Sequence, residues 1–266
     1  MNTPYLFLPI ESKIRIDQCC LCDRPSGNLV GRISYFELSD HDMIQCPDCG
    51  LISTDPIPSS EIVAEGCRLY SLEQQKNSTK SLLRGFGKSY RRGALFARKY
   101  LGRESKILEV GAGDGYFSAG IKSEIPTAKI FLVDIVEDLI KYYQAHHDCT
   151  PLLGEFDASS LSEKDFDLVI FRDLLEHVRN PFQFVRDARA ILKPGGKVFF
   201  ITPNGKEDFW MIHQRFLKKK EKTLILLNHF HYFLPETLNF LLEKNGFQMN
   251  TGFKFGLKQS RRGLGW

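Results

Sequence analysis

The stretch Lys106–Ser118, KILEVGAGDGYFS, decides how the chain is read. Five residues of strand-like character lead into Gly111, Gly113 and Gly115, spaced two apart. Glycine accepts left-handed backbone and lets N–H groups approach a ligand, so the stretch reads as strand, ligand-cradling turn and helix start. A dinucleotide fingerprint would put its third glycine where Tyr116 stands, which disfavours a nicotinamide dinucleotide. Glu109, just before the turn, would repel a pyrophosphate and suits a cationic or amino-bearing ligand. The next apolar run ends at Asp134, nineteen residues beyond Gly115, where a carboxylate can accept both hydroxyls of a ribose. Together these features predict a positively charged nucleoside without phosphates.

Outward from that stretch, strands alternate with helices. KIFLVDI, DLVIFRD and KVFFITPN read as strands, EDLIKYYQAHH and PFQFVRDARAIL as helices, and KPGG as a turn. Near-continuous apolar strands separated by helices predict an α/β fold, a doubly wound, Rossmann-like, mostly parallel sheet. LPETLNFLLEKNGF reads as a helix with Pro235 near its start and Gly246 past its end, and FQMNTGFKF as a last strand. Residues 205–233 read as a helical insertion capping the strand C-termini, with Trp210 and His213 lining a substrate entrance. Leu82, Leu83, Phe86, Tyr90, Leu95, Phe96 and Tyr100 fall at roughly helical spacing, although the glycines among them argue against one continuous helix.

The chain has 266 residues, 42% hydrophobic and 26% charged, enough for one α/β domain and a small appendage. A net charge of +4 does not by itself imply nucleic acid. The longest apolar runs are strand-sized, far short of the roughly 20 residues of a membrane span. MNTPYLFLPIESK lacks the pattern of a signal peptide, so a cytoplasmic location is expected.

Seven cysteines, an odd number, argue against a closed disulfide framework. Cys67 and Cys149 are isolated and read as small buried hydrophobes. CCLC and CPDCG supply two C-x-x-C pairs, Cys19 with Cys22 and Cys46 with Cys49, separated by 23 residues. In a reducing compartment two such pairs predict one structural zinc with four thiolate ligands; Cys20 is a spare thiol. A redox pair is the weaker reading, because neither pair adjoins a βαβ unit. The expected division is a zinc-ribbon-like segment at 1–55, a helical connector at 56–104 and the α/β domain at 105–266.

The motifs LEVGAGDG, FLVDI, FDLVIFRDLLEHV and ILKPGGKVFFITPN, in that order, resemble the class I S-adenosylmethionine-dependent methyltransferases from about Ser105 to Phe253. HFHYFLPETLNFLLEKNGF looks like the tail of the subgroup that includes ubiquinone O-methyltransferases. The cysteine pairs with CGLISTDPIP are similar to a bacterial methyltransferase subgroup bearing an amino-terminal zinc ribbon. The resemblance implies that Gly111, Ala112, Gly113 and Gly115 floor the methionyl part and that Glu109 orients the loop or the ligand's amino group. It implies Asp134 on the ribose, Ile135 and Phe156 against the adenine, Glu155 near the adenine amino group with Asp157 as a substitute, and the Arg172 backbone at the methionyl end. The family's sheet usually carries a sixth and a seventh strand, and little chain follows Phe255 to supply the last.

Methyl transfer from a sulfonium needs an in-line arrangement in a dry site, and a hydroxyl acceptor needs a general base. Asp173, Glu176 and His177 stand at i, i+3 and i+4, which would share a helical face; His177 is the expected base or substrate contact. The same three could instead hold a divalent cation. His229 and His231 in HFHYF are further candidates, both rings on one side if that piece is extended. The leading expectation is a methyltransferase acting on a small molecule, on a hydroxyl of a sugar or secondary metabolite. The alternatives are an RNA methyltransferase using the ribbon, RRGALFARK and KKKEK on phosphates, and a non-catalytic S-adenosylmethionine-binding module.

Overall fold

The structure, a computed structural model, describes residues 13–14, 18–25, 27–35, 39–58, 80–203, 205–219, 223–225 and 229–249. In chain order the elements begin with β1 (Lys13–Ile14), β2 (Asn28–Tyr35), β3 (Ser39–Gln45), β4 (Ile52–Asp55), β5 (Ile57–Pro58) and helix α1 (Lys80–Tyr100). There follow β6 (Lys106–Val110), α2 (Tyr116–Glu124), β7 (Lys129–Asp134), α3 (Glu137–His146), β8 (Thr150–Leu153) and β9 (Phe166–Arg172). After a 3-10 turn at Leu175–His177 come α4 (Pro181–Ile191), β10 (Leu192–Ile201), α5 (Gly205–Lys219), β11 (Thr223–Ile225), β12 (His231–Tyr232) and α6 (Pro235–Lys244). The chain divides into two compact units, one from residues 60–175 and 186–201, the other from 1–59, 176–185 and 202–266.

The first unit holds the expected doubly wound sheet. Five strands run in the order β10-β9-β6-β7-β8, every pair parallel. The chain leaves β6 in one direction and returns to its other side at β9, so the glycine turn sits where such sheets open a crevice at their carboxyl edge. Apolar side chains of β6, β7 and β9 (Ile107, Leu132, Leu168, Ile170) join Phe117, Ile121 and Tyr143 in one buried cluster. The segment TPLL, which lacks a strand pattern, nevertheless forms β8, and its proline sits on an edge strand where a missing N–H is tolerated. KPGG is not a separate turn but an irregularity inside β10, whose register against β9 shifts between Leu192 and Lys197.

Helix α1 is continuous over 21 residues despite its glycines. One of them is there for packing. A methyl group at Gly93 would lie 1.9 Å from the Phe117 carbonyl oxygen, and one at Gly120 of α2 would lie 2.0 Å from that of Tyr90. The two helices thus touch backbone to backbone, each through a glycine. Phe96 of α1 completes the contact, its ring 4.5 Å from that of Phe199 and 5.8 Å from that of Phe117.

The second unit is built on a sheet of order β11-β2-β3-β4-β12. The amino-terminal strands β2, β3 and β4 pair antiparallel, β11 adds to β2 in parallel, and β12 adds to β4 antiparallel. The sequence reading separates residues 1–55 from the insertion at 205–233, whereas both edges of this sheet are covered by strands from that insertion. Burial explains the arrangement: Ile52, Ser53 and Thr54 are all buried, and an uncovered edge there would leave backbone groups unpaired. Phe247–Met249 is not a strand, and the rest of FQMNTGFKF lies outside the described residues, as do Cys67 and most of KKKEK.

Substitution at the helix contact gives a direct test. Gly93→Val should lower the unfolding free energy by about 1–3 kcal/mol or more, the usual cost of overpacking. Gly87→Ala, where an added methyl meets nothing within 4 Å, should be neutral or stabilise by up to about 1 kcal/mol. Urea unfolding of the two variants separates the effects.

Candidate functional site

The glycine turn begins where β6 ends. Gly111, Gly113 and Gly115 have φ of 62°, 60° and 70°, all left-handed, which explains why glycine recurs at alternate positions. A methyl group at Gly111 would lie 2.9 Å from Leu174, and one at Gly115 would lie 2.8 Å from the His147 ring. At Gly113 it would meet nothing within 4 Å. The turn is therefore braced at both ends and open at its middle.

Two buried carboxylates flank it. Glu109, 1% exposed, accepts a hydrogen bond from the Ser118 hydroxyl and another from Arg172 Nη1 at 3.3 Å. Burial raises its pKa, while the Arg172 charge opposes the rise. The Arg172 guanidinium carbon lies 4.5 Å from the centre of the Phe117 ring, so the side chain of this residue spans Glu109 and the start of α2. Asp134, 7% exposed at the end of β7, accepts from the Val136 N–H at 3.0 Å. Burial raises its pKa too. The hydroxyl of Tyr143 stands 2.9 Å from the Gly113 carbonyl oxygen and 3.1 Å from Asp134 Oδ2, so its single proton is shared between them. His147 Nε2 lies 2.8 Å from the Asp114 carbonyl oxygen.

Tyr143, His147 and Ser118 were not singled out by sequence. The first two stand at i and i+4 of EDLIKYYQAHH, a spacing that could have marked one face of α3 and its end turned toward the loop. Of the remaining cofactor candidates, Ala112 is buried and Ile135 half-buried. Phe156 is buried edge-on to Phe171, with ring centres 5.8 Å apart, and Glu155 is exposed. Asp157 accepts locally at both oxygens, from the Ser159 N–H and the Ser159 hydroxyl, each at 2.8 Å.

The second unit brings together Glu176, His177 and His229, whose ligand-capable atoms all lie within 4.8 Å of one another. Asp173 does not join them. Its φ of 49° breaks the backbone before the 3-10 turn, so the expected shared helical face does not form. Glu176 is 1% exposed and accepts from the Thr202 hydroxyl at 3.0 Å. His177 is half-buried and meets the His229 ring edge-on, with centres 4.8 Å apart. Burial, then the neighbouring His177, pulls the His229 pKa down to about 3, so its imidazole is neutral near pH 7.

His231 has different neighbours from His229. It is buried; its Nδ1 lies 2.8 Å from the Ser53 hydroxyl and its Nε2 3.4 Å from the Arg179 carbonyl oxygen. The carbonyl can only accept, so Nε2 carries the proton and Nδ1 accepts from Ser53. Both nitrogens are thus committed to holding the chain. His213 is similarly occupied, Nδ1 standing 2.6 Å from the Val30 carbonyl oxygen, while Trp210 is 64% exposed.

The thiols of Cys19, Cys22, Cys46 and Cys49 form a second convergent group, again with all ligand atoms within 4.8 Å. Cys19 and Cys49 Sγ are 3.4 Å apart, and Cys22 and Cys46 Sγ 3.5 Å. The hydrogen bond from Cys49 pulls Cys19 down to about 5, and the same bond, with burial, pushes Cys49 up. Cys20 stays outside the group, its thiol pushed up by burial.

Residues 83–251 match the family described as a methyltransferase domain. The chain is 29% identical to the ubiquinone biosynthesis O-methyltransferase of Idiomarina loihiensis over 143 residues, 44% of this chain and 57% of that protein. It is also 29% identical, over 157 residues, to the mitochondrial ubiquinone biosynthesis O-methyltransferase of Homo sapiens, 55% of this chain and 42% of that one. The chain thus spans about half the length of these curated relatives. A solved structure from Thermotoga maritima, described as an S-adenosylmethionine-dependent methyltransferase and possible histamine N-methyltransferase, superposes with a TM-score of 0.50. It is 21% identical, over 70% of this chain and 82% of that one, and shares the fold.

The committed His231 makes stability pH-dependent. Burial lowers its pKa to about 4 from an ordinary 6.5. The unfolded chain therefore binds the extra proton between these values, so its stabilising contribution is full above about pH 6.5 and is lost as pH falls toward 4. The slope from this residue alone should approach about 1.4 kcal/mol per pH unit. His231→Asn should flatten it in pH-dependent urea unfolding; an unchanged slope would show that other groups carry it.

Proposed function

The chain belongs to the methyltransferase-domain family, and we propose that it transfers the methyl group of S-adenosylmethionine to a hydroxyl of a small molecule. The observation that carries the reading is the glycine turn, open at Gly113 and tied through Tyr143 to the buried carboxylate of Asp134. A left-handed glycine turn lets backbone approach a ligand closely, and a buried acid at the end of the next strand suits the hydroxyls of a ribose without phosphates. Asp134 would take the ribose hydroxyls, Ile135 and Phe156 the adenine faces and Glu155 its amino group. Gly111, Ala112, Gly113 and Gly115 would floor the methionyl part, with Arg172 alongside. Glu109 is assigned to the loop, because Ser118 and Arg172 already engage its carboxylate. When bound, S-adenosylmethionine supplies an electrophilic methyl on a sulfonium, and the protein's part is to hold the partners in line and exclude water.

A hydroxyl acceptor must lose its proton, and His177 is the proposed base. It is the half-buried member of its cluster, with the neutral His229 against its ring and Glu176 adjacent in sequence. A second reading of these groups, two imidazoles and a carboxylate, is a divalent-cation site, favoured by the 4.8 Å convergence of their ligand atoms. The names of the two curated relatives turn the acceptor search to compounds of ubiquinone biosynthesis before sugars. In RRGALFARK, Gly93 and Ala97 are buried and Arg98 pairs with Glu124 at 2.6 and 2.8 Å, while Arg91, Arg92 and Lys99 are exposed, as on an ordinary solvated helix face.

The four thiols are proposed to hold one structural zinc. Tetrahedral Zn–S bonds of about 2.3 Å place sulfurs about 3.8 Å apart, close to the 3.4 Å of Cys19–Cys49 and the 3.5 Å of Cys22–Cys46.

Asp134→Ala should weaken S-adenosylhomocysteine binding by at least about tenfold in calorimetric titration, the scale of a lost charge-assisted hydrogen bond; undiminished affinity would refute the ribose assignment. Metal analysis of the purified chain should give one zinc per chain, lost in Cys46→Ser, whereas a metal-free wild-type chain would refute the zinc.

A further inference from the structure

We propose that the four-cysteine cluster is a positioning device for the Glu176–His177–His229 cluster: the metal-held knuckle fixes His229 in place. The proposal rests on the zinc and base readings above and uses residues of the second unit alone.

His229 lies in no helix or strand, and besides its ring contacts with His177 and Tyr232 its place depends on what the residues beside it bind. Those neighbours are tied to the segment that leaves the second cysteine pair. The Thr54 N–H donates to the Phe230 carbonyl at 2.9 Å, on the residue next to His229. His231 and Tyr232 pair with Ser53 and Ile52, and the Ser53 hydroxyl donates to His231 Nδ1 at 2.8 Å. Beyond β12 the Thr237 hydroxyl, fully buried at the start of α6, donates to the Cys49 carbonyl at 3.1 Å. The knuckle closes on itself through Cys46 N–H to Leu51 O at 2.9 Å and Gly50 N–H to Cys46 O at 3.0 Å. Its cysteines therefore determine where the backbone of 50–55 runs.

The other side of the same segment faces the carboxylate. The Phe230 N–H donates to the Glu176 carbonyl at 2.8 Å, and His231 Nε2 stands 3.4 Å from the Arg179 carbonyl. Residues 229–233 are thus a strap whose one edge reads the knuckle and whose other edge sets the Glu176–Arg179 turn. β12 contributes only two residues, too short a pairing to hold its register without outside support. Four metal–thiolate bonds supply that support; four thiols sharing weak S–H contacts do not.

The test uses the full zinc-loaded chain, from which Zn2+ is withdrawn by a chelator while amide hydrogen exchange is followed. Exchange at residues 52–55 and 229–233 should accelerate at least about tenfold, because local opening no longer has to break the knuckle. Strands β6 and β7 should remain protected and S-adenosylhomocysteine affinity unchanged. Unaltered exchange at 229–233 after zinc loss overturns the proposal while leaving the zinc site standing; a chain that takes up no Zn2+ overturns the zinc reading and this proposal together. Two variants avoid the metal ligands, in case the zinc-free chain unfolds. Ser53→Ala and Thr237→Val should keep zinc and cofactor affinity, yet speed exchange at 229–233 and lower kcat severalfold with the KM for S-adenosylmethionine unchanged. Full kcat and native exchange in both would overturn the relay.

Discussion

Two carboxylates taken out of water at the carboxyl ends of neighbouring strands govern the α/β unit. Glu109 and Asp134 are almost wholly buried, and an ionised group there is tolerated only when donors answer it. Each draws its donors from a different element. Ser118 comes from α2 and Arg172 from the end of β9, whereas Tyr143 comes from α3. The demand of the two acids thereby fixes the elements that wall the glycine turn. Tyr143, sharing one proton between Asp134 and Gly113, makes the acid and the turn a single object. If the turn holds the cofactor proposed above, bracing of this kind would leave little to rearrange on binding and conserve affinity that would otherwise go into ordering loops.

The second unit solves a different problem. Its longer strands β2 and β3 are flanked by the short strands β4, β11 and β12, and the four converging sulfurs sit at the chain ends that enter β2 and link β3 to β4. Its histidines divide the labour. His231, committed at both ring nitrogens, is framework; His177, half-buried against the His229 ring, is the base proposed above. The two histidines of HFHYF thus face different partners: His231 holds Ser53 and the Arg179 carbonyl, whereas His229 meets the His177 ring.

The amino-acid sequence revealed the parallel sheet, the left-handed turn and the convergent thiols, because each leaves a local signature: apolar strand runs, alternate glycines, paired C-x-x-C. It concealed what depends on contacts between distant segments. Gly93 and Gly120 read as helix weaknesses until each is seen against the other helix's backbone. TPLL has no strand pattern and becomes one only because β7 offers an edge. The spacing of Asp173, Glu176 and His177 promised a common face, and a single left-handed φ at Asp173 removed one member. His229 completed the cluster from far along the chain, where spacing carries no information. Tyr143 lies in α3 and His147 just past its end, but nothing local told which carbonyls they would meet.

The sheet of the second unit imposes an order of events during synthesis. Strands β2 to β4 emerge from the ribosome early, yet β11 and β12, which close that sheet on both edges, follow only after the entire α/β unit has been made. The nascent hairpins must wait with unpaired edges, the state in which strands recruit unwanted neighbours. The four cysteines lie on either side of β2 and β3 in sequence and are all made once Cys49 is exposed, so their convergence is among the contacts of this unit that can form during the delay.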